Sequence, residues 1–139
     1  MSTFLVNIVT PNGIVYDQDA IFLVANTEAG SLGILPKHAP LIAPLKIDAV
    51  RIDLEGDKKD WVAVNGGIIE VRDNVVSILA NSAEKEGDID VSRAKEAKER
   101  AEGKIARAKE EHDETIDMDR AKVALYRAIN RLNVADKER

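Results

Sequence analysis

Apolar positions along this chain follow two rhythms, and the change between them divides the sequence. Up to Ala80 they come in short β-rich runs set off by turn residues. Phe4–Val9 ends at Pro11-Asn12-Gly13, a strong turn signal. Ala20–Ala25 follows the polar Asp17-Gln18-Asp19, and Gly30 and Gly33 are expected to bracket another turn before Ile34-Leu35-Pro36. Ile47, Ala49, Val50, Ile52 and Leu54 lie in an extended stretch, with Asp48, Arg51, Asp53 and Glu55 marking a wet face. Glu55–Asp60 is expected as a charged hairpin loop, Trp61–Val64 as a strand, and Asn65-Gly66-Gly67 as a further tight turn. Ile68–Arg72 and Val75–Ala80 are expected to form a hairpin about Asp73-Asn74. Turn signals recur about every ten residues, which predicts a sandwich or flattened barrel of short antiparallel strands. Several strands are apolar on both faces, so part of that surface is expected to dock against a partner.

From Asp88 the rhythm becomes helical. Asp90 is a good N-cap, and Ala94, Ala97, Ala101, Ile105 and Ala108 recur on one helix face. His112–Asp117 breaks the pattern and Asp117 can cap a second helix, whose seam is Ala121, Leu125, Ala128, Leu132 and Ala135. The short connection makes the two helices antiparallel neighbours, each about 30 Å long. The fold class is therefore α+β in two parts: an N-terminal antiparallel β-sandwich over residues 1–86 and a C-terminal antiparallel two-helix hairpin over 87–139. A seam of alanines lets helices approach closely, but each methyl contributes about 1 kcal/mol at most. The hairpin is expected to be firm as helix and loosely docked, which suits an element that swings.

Charge sharpens the division. Residues 1–87 hold 7 Lys+Arg against 12 Asp+Glu, whereas residues 88–139 hold 13 of each. Arg93, Arg100 and Arg107 each directly precede a seam residue of the first helix, and Arg120, Arg127 and Arg131 do the same in the second. In an antiparallel pair these flanks meet along one edge, with Arg93 and Arg100 opposite Arg131 and Arg127. Facing guanidinium groups suit a ligand with several negative charges. The competing reading is a solvated flank whose arginines are neutralised by Glu96, Glu99, Glu110, Asp90 and Asp117.

Other chemistry is excluded or unsupported. The chain has no cysteine, hence no disulfide or thiolate site. No phosphate-binding loop of the Lys-Ser/Thr type is present. His38 and His112 lack metal-ligand spacing, and Ser31, Ser77, Ser82 and Ser92 have no evident base, so neither an enzyme nor a metal site is expected. The N-terminus MSTFLVNIVT does not read as a signal peptide, and no apolar run reaches the ~20 residues a membrane helix needs. Balanced charge in the helices argues against nucleic acid as a partner.

Longer motifs carry a resemblance. Gly30-Ser31-Leu32-Gly33-Ile34-Leu35-Pro36-Lys37-His38-Ala39-Pro40-Leu41, Val64–Ile68 with Val75–Ala80, Ile89-Asp90-Val91-Ser92-Arg93-Ala94 and Ala124–Leu132 together resemble the epsilon subunit of bacterial F-type ATP synthases, over essentially the whole chain. The resemblance implies a non-catalytic central-stalk subunit of the proton-translocating complex. Its sandwich would bind the gamma subunit and the c-ring. Its hairpin would rest compact on the sandwich or extend towards the alpha and beta subunits and inhibit ATP hydrolysis. It further implies a place at the cytoplasmic face of the bacterial membrane, reached only through the complex. No cofactor is required, but the resemblance implies ATP as a regulatory ligand held without hydrolysis by Glu84, Ile89, Asp90, Arg93, Ala94, Arg100, Arg127 and Arg131, with Ile89, Asp90 and Ala94 near adenine and the arginines on phosphate. A purely structural stalk coupler without ATP binding is the alternative.

Overall fold

The computed structural model describes residues 2–138; Met1 and Arg139, the outermost residues of the two expected parts, lie outside them. Eight strands precede two helices: β1 (Phe4–Thr10), β2 (Gly13–Ala20), β3 (Phe22–Thr27), β4 (Gly30–Ile34), β5 (Leu41–Leu54), β6 (Lys58–Arg72), β7 (Val75–Ala80), β8 (Ala83–Lys85), α1 (Val91–Glu110) and α2 (Met118–Ala135). A 3-10 turn, Glu86–Asp88, leads from β8 towards α1.

The strands form one hydrogen-bonded path, β2-β1-β7-β6-β5-β3-β4, that folds on itself because β5 and β6 serve both layers. The first half of β5 and the second half of β6 lie beside β7, β1 and β2. Their other halves lie beside β3, β4 and β8. All pairs are antiparallel except β1 with β7. Between the layers, Phe4, Val6, Ile8, Leu23, Ile52, Val64, Ile69 and Ile78 are fully buried and form the core. The expected β-sandwich followed by a helical hairpin is thus the observed architecture.

Several local expectations are corrected. Gly30 and Gly33 do not bracket a turn; they belong to β4, and the turn is Glu28-Ala29. There Thr27 Oγ1 accepts from Ala29 N–H and donates to the Gly30 carbonyl. Gly33 is small because the Phe22 ring packs over it, within 3.2 Å of where a Cβ would stand. Asn65-Gly66-Gly67 is not a chain reversal either. β6 runs through it, bending with Gly66 at φ 81° and Gly67 at φ 137° where its neighbour changes from β8 to β7. A Cβ on Gly67 would collide with the Leu79 carbonyl oxygen. The charged loop shrinks to Glu55-Gly56-Asp57, and Lys58–Asp60 join β6. The Asp73-Asn74 hairpin is as expected, both residues at positive φ (52° and 64°), the geometry that matches strand twist.

Both helices begin where their caps predict. Asp90 Oδ1 accepts from Arg93 N–H and Asp117 Oδ1 from Arg120 N–H, each at 3.1 Å. α1 buries Ala94 and Ala101 against the buried Ala121 and Ala128 of α2. α2 has a second buried face opposite that seam: Asn130 and Val134 lie where the helix crosses β5 and β6. α2 is therefore a middle layer, with α1 held to the sandwich through it.

Tyr16 on β2 joins the layers. It is 2% exposed, and its hydroxyl donates to Asp60 Oδ2 at 2.6 Å. Burial, then the hydrogen bond and the nearby carboxylate charge, push the phenol well above its ordinary value near 10. The unfolded chain ionises first, so stability contributed by the neutral phenol is present below pH ~10 and is lost as pH rises beyond it. Urea unfolding from pH 8.5 upward is expected to show that loss above about pH 10, and Tyr16→Phe should flatten it.

Candidate functional site

The segment after β8 brings one carboxylate of the sandwich to the arginine flank of the hairpin. A cavity of about 180 Å³ is lined by Glu84 of β8, by Asp90, Arg93, Ala94, Ala97 and Arg100 at the start of the hairpin, and by Arg131 of α2. It exists only where these three parts meet. Six of the eight residues proposed from the sequence therefore line one cavity. The other two do not: Ile89 is half-buried in the extended link just before Asp90, and Arg127 is exposed on α2.

Charge in this cavity is partly committed. Arg131 Nε donates to Glu84 Oε1 at 2.6 Å, with both side chains about a third exposed (30% and 33%). That ion pair crosses from α2 to the sandwich, and solvent screening keeps its contribution near or below ~1 kcal/mol. The Asp90 carboxylate is occupied as the cap of α1. Among the described residues no carboxylate oxygen comes within 4.0 Å of a cationic nitrogen of Arg93, Arg100, Arg107, Arg120 or Arg127. The expected neutralisation by Glu96, Glu99 and Glu110 forms no contact within 4.0 Å among the described residues.

Sequence reasoning missed the polar contact that holds α2 down. Asn130, 4% exposed, donates from Nδ2 to the Val64 carbonyl at 3.2 Å and to Asn65 Oδ1 at 3.3 Å. Asn65 in turn donates to Ser82 Oγ at 2.9 Å. At the end of the helix, Lys137 sits 4.6 Å above the Trp61 ring, a further tether to β6. The only signal was Asn130 and Val134 spaced four apart, opposite the seam.

A second surface lies on the outer face of the β2-β1-β7-β6-β5 layer. A bulge between Ile8 and Val9 puts Ile14 opposite Val9; Val9 pairs with Leu79, Leu79 with Ile68, and Ile68 with Pro44. Ile42 flanks this row, being 69% exposed, and Leu79 is 60% exposed. The row crosses five adjacent strands, about 20 Å at ~4.8 Å per strand. Strands apolar on both sides thus leave an exposed apolar row on this layer, the kind of surface that partner docking would cover.

Among the described residues no group of three or more His, Cys, Asp or Glu side chains could hold a metal ion, and no helix is long and apolar enough to cross a membrane.

Comparison with known proteins accounts for both parts. The family model described as "ATP synthase, Delta/Epsilon chain, beta-sandwich domain" matches residues 3–86, and "ATP synthase, Delta/Epsilon chain, long alpha-helix domain" matches residues 88–136. The chain belongs to the ATP synthase delta/epsilon chain family, a non-catalytic subunit of that complex. Similar solved chains occur in the Euglena gracilis mitochondrial ATP synthase, OSCP/F1/c-ring in rotational state 1, at TM-score 0.78 and 23% identity, covering 97% of this chain and 82% of that one. Another occurs in the Tetrahymena thermophila mitochondrial ATP synthase central stalk/c-ring, at TM-score 0.53 and 18% identity, covering 96% and 94%. At these identities the likeness is one of fold.

Asn130→Ala leaves the Asn65 side-chain oxygen without its donor and is expected to weaken α2 docking by about 1–3 kcal/mol. Hydrogen exchange checks this: amides of α2 should lose protection while those of β6 and β7 keep theirs.

Proposed function

We propose that this chain is a central-stalk subunit of ATP synthase whose helical hairpin is a ligand-controlled inhibitor of ATP hydrolysis. The observation that carries the reading is the cavity between β8, α1 and α2, in which Arg93 and Arg100 have no carboxylate partner among the described residues. A ligand held there bridges the sandwich and both helices, so it favours the compact arrangement over any in which they separate. The residue types select a polyphosphate, and ATP is the ligand we assign. A volume of about 180 Å³ takes the phosphates rather than the whole nucleotide, so the adenine lies at the rim beside Ile89, Asp90 and Ala94. Arg127, exposed on the same flank, closes over the phosphates as the ligand arrives.

At a hundredfold excess over Kd, such a ligand adds about 2.7 kcal/mol to the compact state. This exceeds what one screened ion pair provides, so ATP level decides whether the hairpin stays down. When ATP falls, the hairpin leaves the sandwich, extends towards the alpha and beta subunits and stops hydrolysis. The exposed row of Ile14, Leu79, Ile68 and Ile42 is the face assigned to the gamma subunit and c-ring, which keeps the chain peripheral, at the cytoplasmic face of a bacterial membrane, bound only through its partners. A second reading, a structural coupler without ATP binding, is favoured by one observation: Arg131 already has its partner in Glu84.

Isothermal titration of the full chain with ATP at millimolar concentration is expected to give one saturable site. Arg93→Ala or Arg131→Ala should weaken it tenfold or more, and absence of binding overturns ATP control. In the assembled complex, removal of residues 88–139 should raise ATP hydrolysis; an unchanged rate favours the structural coupler.

A further inference from the structure

The arginine flank does not end at the cavity just described. Towards the loop that joins the helices, a larger cavity of about 520 Å³ opens between α1 and α2. Arg100, Lys104 and Arg120 line it, and its floor is apolar, built from the seam alanines Ala101 and Ala121 with Ile116 of the connection. Among the described residues no carboxylate oxygen lies within 4.0 Å of a cationic nitrogen of these three side chains. The acid on its wall, Asp117, is engaged as the cap of α2, accepting from Arg120 N–H. The neighbouring Asp113 is turned to Thr115, whose N–H and hydroxyl both bond to its Oδ1. The start of α2 is therefore satisfied by its own chain, and three side-chain cations face one carboxylate in the cavity wall. An apolar floor beneath them lowers the local dielectric and concentrates their field in the cavity.

We propose that this loop-end cavity is a second anion site, for a soluble diphosphate, inorganic or organic, held by Lys104 and Arg120 together with Arg100, which also borders the first cavity. Three cations along one cavity, two of them guanidinium forks, match two linked phosphate groups better than a single carboxylate. The volume exceeds one phosphate group and leaves room for an apolar body over the alanine floor. The site is built by the hairpin alone, with no residue of the sandwich in its wall, so it does not rest on the ATP reading. A ligand there clamps α1 to α2 and favours the paired hairpin.

Inorganic pyrophosphate is the probe, titrated into the full chain and followed by amide chemical shifts. Shifts are expected for residues 97–104 and 115–124, and those of 115–124 should persist in the Arg93→Gln/Arg131→Gln variant. The double variant Lys104→Gln/Arg120→Gln, at exposed positions and checked by far-UV circular dichroism, should weaken pyrophosphate binding at least tenfold, while Arg93→Gln/Arg131→Gln leaves it within about twofold. Loss of ATP binding with retained pyrophosphate shifts would remove the first site and keep this one. No shifts at millimolar pyrophosphate, or shifts confined to Glu84, Asp90, Arg93 and Arg131 of the first cavity, overturn the proposal. So does sedimentation with phosphatidic acid vesicles that the double variant abolishes while free pyrophosphate binds nowhere, since the phosphate source is then a lipid headgroup.

Discussion

The hydrogen bonds from Asn130 to the Val64 carbonyl and the Asn65 side chain set how the helices and the sandwich are joined. A buried amide is costly when left unpaired, at about 1–3 kcal/mol, yet worth only about 1 kcal/mol net when paired, because water satisfies it equally well once the surface opens. Such a contact fixes where α2 sits more strongly than it resists removal. An apolar residue of the same size would hold tighter but specify the register of the helix less well. Alanine at the other helix face has the same character: close approach, little buried area. Position is tightly defined and adhesion is modest, a combination suited to a part that leaves and returns to one place.

The middle position of α2 links this joint to the electrostatics. One face meets α1, the opposite face meets β5 and β6, and the arginine flank lies between them. Anything bound along that flank touches the seam between the helices. Only the cavity that includes Glu84 also touches the sandwich. The flank thus divides into a stretch that reports on docking and a stretch that reports on the hairpin alone, although its cations come from a single sequence pattern.

Much of this was legible in the chain. The two rhythms of apolar residues separate strands from helices, Asp90 and Asp117 start both helices, and the residue before each seam position locates the charged flank. What escaped was tertiary in origin. β2 is an edge strand with Asp17, Gln18 and Asp19 exposed, so its pattern reads as loop although Tyr16 and Ala20 are buried. The glycines of β4 and β6 resemble turns because glycine serves both a reversal and a close approach, and only Phe22 and Leu79 distinguish the two. Asn130 drew no expectation of its own, since no local pattern announces a carbonyl 66 residues away. Arg127 falls on the expected flank but is exposed and lies outside the cavity lining.

Strand β6 carries both surfaces that matter here. Asn65, which receives α2, and Ile68, which belongs to the apolar outer row, are three residues apart, about 10 Å along a strand. Between them Gly66 and Gly67 make a bend fixed on both sides, Asn65 N–H reaching the Ser82 carbonyl and Asn81 N–H the Gly66 carbonyl. The apolar outer row and the seat of α2 therefore belong to one continuous stretch of backbone, with no slack loop between them.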